Sequence, residues 1–209
     1  MKTAATSVPD RIMRRARATG RGGVFTPTDF LDVAARAAVD QALSRLAKSG
    51  KLRRLARGLY DYPKVHPKLG ALSPAPDNVA RALARETGSQ AQIAGAHAAN
   101  ALGLSMQVPA KSLYLTDGPS RRIVLGKRVI DMRHASPKHL IAPGSPAGTV
   151  VQALRHVGPT RAAEVAQIAA RRLSTSDKRI LASNVVQVPA WMRPTLISIG
   201  SSASDAANG

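Results

Sequence analysis

With 209 residues, 44% of them hydrophobic, the chain is long enough for two modest domains with real cores. Aromatic residues are only 3%, so those cores must be built from Ala, Leu, Val and Ile, a composition that leans towards helix. The formal charge of +19 attracts polyanions, and the absence of cysteine excludes disulfides, thiolate chemistry and Cys-based zinc sites.

The first twenty residues hold no apolar h-region, and no apolar run approaches the roughly 20 residues that cross a bilayer. A soluble, intracellular protein is expected. The positive excess is shared almost equally between residues 1–70 and 71–209, so pattern along the chain, not total charge, has to locate a site.

Residues 1–62 read as one domain. Val8, Ile12, Met13 and Ala16 fall on one face of a helix over Val8–Ala18, with Ser7 as its cap and Gly20, Gly22 and Gly23 ending it. Thr26-Pro27-Thr28-Asp29 has the form of a capping box with proline at the first helical position. Phe25 and Phe30 flank it at hydrophobic-staple positions. That short helix is expected to run to about Val33. A tight connection follows, then a helix over Ala37–Ser49 with Val39, Ala42, Leu43 and Leu46 as its apolar stripe and Gly50 just past its end. From Lys51 to Tyr62 the pattern predicts two short strands around a turn at Ala56–Gly58.

Helix, short capped helix, turn, amphipathic helix and basic hairpin, in that order, predict a winged helix-turn-helix that binds double-stranded DNA. Burying the stripe leaves Arg36, Asp40, Gln41, Ser44, Arg45 and Lys48 outward. Arg36 and Gln41 have the donors to read guanine and adenine edges, while Arg45 and Lys48, later on the helix, suit phosphates. Asp40 would accept from a cytosine amino group or restrain a nearby arginine. Arg53, Arg54 and Arg57 would project from the hairpin as a wing, and Thr28 and Lys51 complete the DNA-facing set.

Tyr62–Pro76 carries Pro63, Pro67, Pro74 and Pro76 with Gly70, and residues 63–76 read as a linker. Residues 77–199 read as an α+β domain with a small antiparallel sheet. Helices are expected over Asp77–Thr87, Ile93–Leu102, Pro146–His156, Thr160–Arg172 and Ser176–Ser183. Strands are expected over Ser112–Asp117, Arg121–Leu125 and Lys127–Arg133, and short extended pieces over Val185–Val188 and Leu196–Ile199. Residues 200–209 read as a flexible tail.

Catalysis is not expected. His66, His97, His134, His139 and His156 show no metal-ligand spacing, the acids after residue 70 are scattered, and no nucleophile elbow or phosphate-binding loop occurs. No cofactor and no metal is expected. Arg121, Arg122, Lys127, Arg128 and Arg133 lie on or beside the proposed hairpins, and Arg171, Arg172, Lys178 and Arg179 near two helix ends. They form either ordinary solvated faces or a second basic surface for nucleic acid.

Val39–Leu46 followed by Gly50–Tyr60 resembles the N-terminal domain of AbiEi-type antitoxins, of the abortive-infection type IV toxin–antitoxin systems. Ile93–Leu104 and Leu113–Thr116 resemble the start of their second domain. The resemblance implies a bacterial, cytoplasmic and nucleoid-associated autorepressor that binds inverted repeats in its own promoter. It also implies an antitoxin that counters a neighbouring nucleotidyltransferase toxin without a stable complex. By match to the motif, Arg45, Arg53, Arg54 and Arg57 carry over as DNA contacts. Two copies could pair on an operator, although no heptad repeat supplies a dimer. The residues also permit a basic, nucleic-acid-associated structural protein, or a ligand-sensing winged-helix regulator with a pocket in residues 71–199.

Overall fold

The computed structural model describes residues 7–107 and 109–205, and shows an α+β chain in two compact units, Met1–Ser89 and Gln90–Gly209.

The first unit opens with α1 (Val8–Thr19), capped by the Ser7 hydroxyl, which accepts from the Asp10 amide at 3.4 Å. Ile12, Met13 and Ala16 are buried, as their spacing requires. After β1 (Val24–Phe25), Asp29 closes the expected capping box by accepting from the Thr26 amide at 2.7 Å, and the Phe25 and Phe30 rings lie 5.6 Å apart. The helix expected to reach Val33 is shorter: one 3-10 turn, Pro27–Phe30, followed by irregular turns. The longer α2 (Arg36–Lys48) buries Val39, Ala42, Leu43 and Leu46, and Gly50 follows at φ +72°. Strands β2 (Arg53–Ala56) and β3 (Leu59–Asp61) form an antiparallel hairpin, and β1 pairs with β3 to give the order β1-β3-β2.

The expected linker is ordered. β4 (Val65–His66) and β5 (Gly70–Ala71) make a second hairpin. Its prolines fall where no ladder hydrogen bond is needed: Pro67 in its turn, and Pro76 in the first turn of the next helix. Both limbs are tied down. Gly22 donates to the Tyr62 carbonyl at 2.6 Å, Arg21 to the Pro63 carbonyl at 2.9 Å, and Arg53 to the Leu72 carbonyl at 2.7 Å.

Helix α3 (Pro76–Thr87), expected to open the second domain at residue 77, belongs to the first unit instead. Its apolar stripe of Val79, Ala80 and Leu83 is buried, Asn78 donates to the Gly22 carbonyl, and Arg85 reaches the Val24 carbonyl and Asp29. A helix this short needs a surface to bury against, and the sequence does not say on which side that surface lies.

In the second unit, β6 (Ala91–Ala94), β7 (Lys111–Thr116), β8 (Arg121–Leu125) and β9 (Arg128–His134) form a sheet in the order β6-β7-β9-β8. It is mixed, not antiparallel as expected, because β9 folds back from β8 and inserts beside β7 with parallel register Lys111↔Val129 to Thr116↔His134. Ile93, expected in a helix, lies in β6; α4 (Gly95–Ala101) begins only after it. Three further helices match their predicted positions closely: α5 (Pro146–Val157), α6 (Ala162–Arg172) and α7 (Thr175–Ser183). Val185–Gln187 is a 3-10 turn, and Leu196–Ile199 lies inside α8 (Arg193–Asp205), so neither is extended. The α8 helix buries Leu196 and Ile199 in the apolar core with Val150, Leu154 and Leu181. It also runs through residues 200–205 of the expected tail; residues 206–209 lie outside the described residues.

Candidate functional site

The outward face of α2 follows from what it buries. With its stripe inside, Gln41, Ser44, Arg45 and Lys48 are all exposed, and no acidic side chain pairs with any of them among the described residues. Arg36 is committed differently. Its Nε donates to Asp40 Oδ2 at 3.0 Å one turn along, so part of its fork is occupied on its own helix. Thr28 sits half-buried in the 3-10 turn. Lys51 is exposed just beyond Gly50. Arg54 is exposed on β2, and Arg57 is exposed at the turn that Gly58 closes at φ +70°.

Arg53 corrects the wing assignment. Its Nε and Nη2 grip both oxygens of Asp61 at 3.0 and 2.6 Å, and it also donates to the Ala71 and Leu72 carbonyls. Asp61 is fully buried. The sequence alternation placed Arg53 outward, but the β4–β5 hairpin covers that side and turns the guanidinium into a structural clamp.

The expected second basic surface is only partly realised. Arg122, Lys127 and Arg128 are exposed around the β8–β9 turn, where Gly126 has φ +59°, and Arg121 is half-buried on β8. Arg133 pairs with Asp131 at 3.2 Å, as does Lys111 at 3.1 Å. The hydrogen bond from Lys111 is the largest cause holding the Asp131 carboxyl below its ordinary range. Arg171, Arg172 and Arg179 are exposed, and Arg172 also donates to the Leu102 carbonyl at 2.8 Å at the end of α4. Lys178 is buried and belongs to the packing of the second unit.

His97 meets Tyr114 edge-on, with ring centroids 5.6 Å apart. His139 Nδ1 lies 2.5 Å from Arg155 Nη1. Burial first, and then the Arg155 and Lys138 charges, push its pKa below the ordinary histidine value. Among the described residues no cluster of three or more His, Asp or Glu could hold a metal ion. No described helix is long and apolar enough to cross a membrane.

One feature escaped the sequence reading. Arg15, Arg21, Arg81 and Arg85 converge on a cleft in the first unit. Arg15 holds Asp32 through two bonds of 2.8 and 2.6 Å and also donates to the Asp29 carbonyl. Its hydrogen bond lowers the Asp32 carboxyl to about 2. The i, i+4 spacing of Arg81 and Arg85 was the available signal, since it places both on one face of α3. Nothing local showed that Arg15 faces them.

The comparisons give a family and no activity. A search of the curated proteins gives no match. Among solved structures, the chain is similar to the crystal structure of the RV2827C protein from Mycobacterium tuberculosis, at 18% identity and a TM-score of 0.39, covering 94% of this chain and 78% of that one. A family model described as a family of unknown function, DUF6088, matches residues 11–180. That span takes in most of both compact units, and the chain belongs to DUF6088.

Proposed function

We propose that the chain is a sequence-specific, double-stranded DNA-binding autorepressor whose first unit is a winged helix-turn-helix. The observation that carries this reading is the unobstructed polar face of α2, with Gln41, Ser44, Arg45 and Lys48 exposed and the β2–β3 hairpin following it in the chain. In such a module the second helix enters the major groove. Gln41 then reads an adenine edge, and Arg45 and Lys48 take phosphates. Lys51, Arg54 and Arg57 serve the wing. Arg53 leaves the contact set, and Arg36 reaches a base only by sharing its fork with Asp40.

The sequence resemblance to AbiEi-type antitoxins extends the proposal. The second unit counters a nucleotidyltransferase toxin encoded next door, in the bacterial cytoplasm and on the nucleoid, without a stable complex. Neither role asks for catalysis by this chain.

Footprinting of the region upstream of its own gene tests the first half. Protection of an inverted repeat at physiological salt is expected, and absence of protection overturns it. Co-expression with the adjacent gene tests the second half; a neighbour that is harmless, or that stays toxic beside this chain, removes the antitoxin role.

A further inference from the structure

The cleft in the first unit is lined by none of the residues assigned to DNA, although Thr28 adjoins its Asp29. The C-terminal half of α1, the loop after it, β1, the 3-10 turn and α3 line an open cleft of about 530 Å³, within the roughly 300–1,000 Å³ typical of small-molecule sites. Four arginines line it against one carboxylate, Asp29. Arg15 and Arg85 spend part of their forks on Asp32 and Asp29.

Arg21 and Arg81 pair with no carboxylate among the described residues. The Arg21 guanidinium lies 4.8 Å over the Tyr62 ring and donates once, to the Pro63 carbonyl. Arg81 donates to Asn78 Oδ1 at 2.9 Å, and the Asn78 amide is fixed by its own bond to the Gly22 carbonyl. Each guanidinium has more donors than these bonds use, held in a planar fork that suits phosphate oxygens. Arg21 and Arg81 are therefore oriented by neutral hydrogen-bond partners, with guanidinium donors to spare. Placing several such charges around a concavity costs self-repulsion that an anion would relieve.

We propose that this cleft binds a di- or triphosphate group, carried by a nucleotide or free as polyphosphate. Phosphate is favoured over a single carboxylate because the several guanidinium forks need several anionic oxygens, and a polyphosphate chain presents them along its length. A small molecule is favoured over a duplex because the arginines line a concave cleft rather than a flat or convex face.

Isothermal titration calorimetry of the full chain with ATP, tripolyphosphate and adenosine tests this. Saturable binding of ATP or tripolyphosphate is expected, with no binding of adenosine. The double variant Arg21→Ala/Arg81→Ala should weaken binding about tenfold or more; the lost Arg21–Pro63 bond lowers Tm slightly, and titration well below the variant's own Tm keeps the comparison between folded chains. A second double variant, Lys64→Ala/Lys68→Ala, removes the same charge from exposed positions outside the cleft and should bind like the parent. ATP tighter than tripolyphosphate identifies a nucleotide as the ligand, and equal affinity identifies the phosphate chain alone; either supports the site. No binding at about 1 mM of either anion overturns it. So does binding of adenosine with equal affinity, retention of affinity by the arginine variant, or an equal loss in the lysine variant, which would mean diffuse attraction to a highly charged chain.

Discussion

Asp61 is fully buried, and one guanidinium satisfies both of its oxygens. Removing that guanidinium leaves a carboxylate with neither water nor countercharge. Arg53→Ala should therefore cost about 3 kcal/mol of stability, at the lower end for a broken buried pair because Arg53 itself is 31% exposed. Arg54→Ala, one position along and exposed, should stay within about 0.5 kcal/mol while weakening DNA binding. Chemical denaturation of the two variants checks this, and a comparable loss in both would place Arg53 on the surface after all.

Two pH effects belong to the same scale. Asp32 is lowered to about 2 from 3.8 by the Arg15 hydrogen bond, so its stabilisation is present at neutral pH and is lost as pH falls through that interval. Asp32→Asn should lower Tm slightly at pH 7 and converge with the parent near pH 2. His139 is depressed below 6.5, chiefly by burial. The unfolded chain then binds the proton more readily, and the folded state loses stability as pH falls below 6.5. His139→Gln should flatten that part of the Tm–pH curve.

Among the elements, the first turn of α5 shows how closely a loop can be bound to a helix. Gly144 donates to the buried Gln92 side chain of β6 at 2.8 Å, and Ser145 caps the helix by accepting from Gly148. A Cβ at Gly148 would lie 2.3 Å from the Ala142 carbonyl oxygen and 2.8 Å from that of Ile141. Those two obstacles are backbone, and the third, Gln92 Oε1 at 2.6 Å, is held by the Gly144 amide, so Gly148→Ala should destabilise the second unit by about 1–3 kcal/mol or more, read as an early loss of cooperative melting.

Element signals were legible where they were local. The Ser7 cap, the α2 stripe and Gly50 placed the bounds of α1 and α2 to within a residue or two, and the Thr26–Asp29 box placed the start of the 3-10 turn but not its end, because each depends on neighbours a few positions away. The parallel β7–β9 pairing, the ordering of residues 63–76 and the docking of α3 depend on distant partners, and the local pattern did not carry them. Residues 193–205 lack a strong amphipathic stripe, which is why their apolar run read as strand. The exposed face of α2 was legible for the same local reason as its stripe. Arg53 and Lys178 were misplaced because a cation's role depends on what docks over it.

For the whole molecule, the +19 charge by itself predicts only that the chain will adhere to polyanions, and almost equally through either half. The winged-helix proposal is narrower and can be separated from that background by salt. If Arg45, Lys48, Lys51, Arg54 and Arg57 each neutralise one phosphate, log K should fall against log salt with a slope of about −4.5 per bound chain, and about −9 if two copies pair on an inverted repeat. Arg45→Ala should remove about 0.9 from the slope and weaken operator and random duplex alike. Gln41→Ala should leave the slope unchanged and cost about 1–3 kcal/mol on the operator alone. Fluorescence-anisotropy titrations at several salt concentrations measure all of these. A slope that ignores Arg45, or a Gln41 variant that loses as much on random duplex, would show that charge rather than a reading helix holds the DNA.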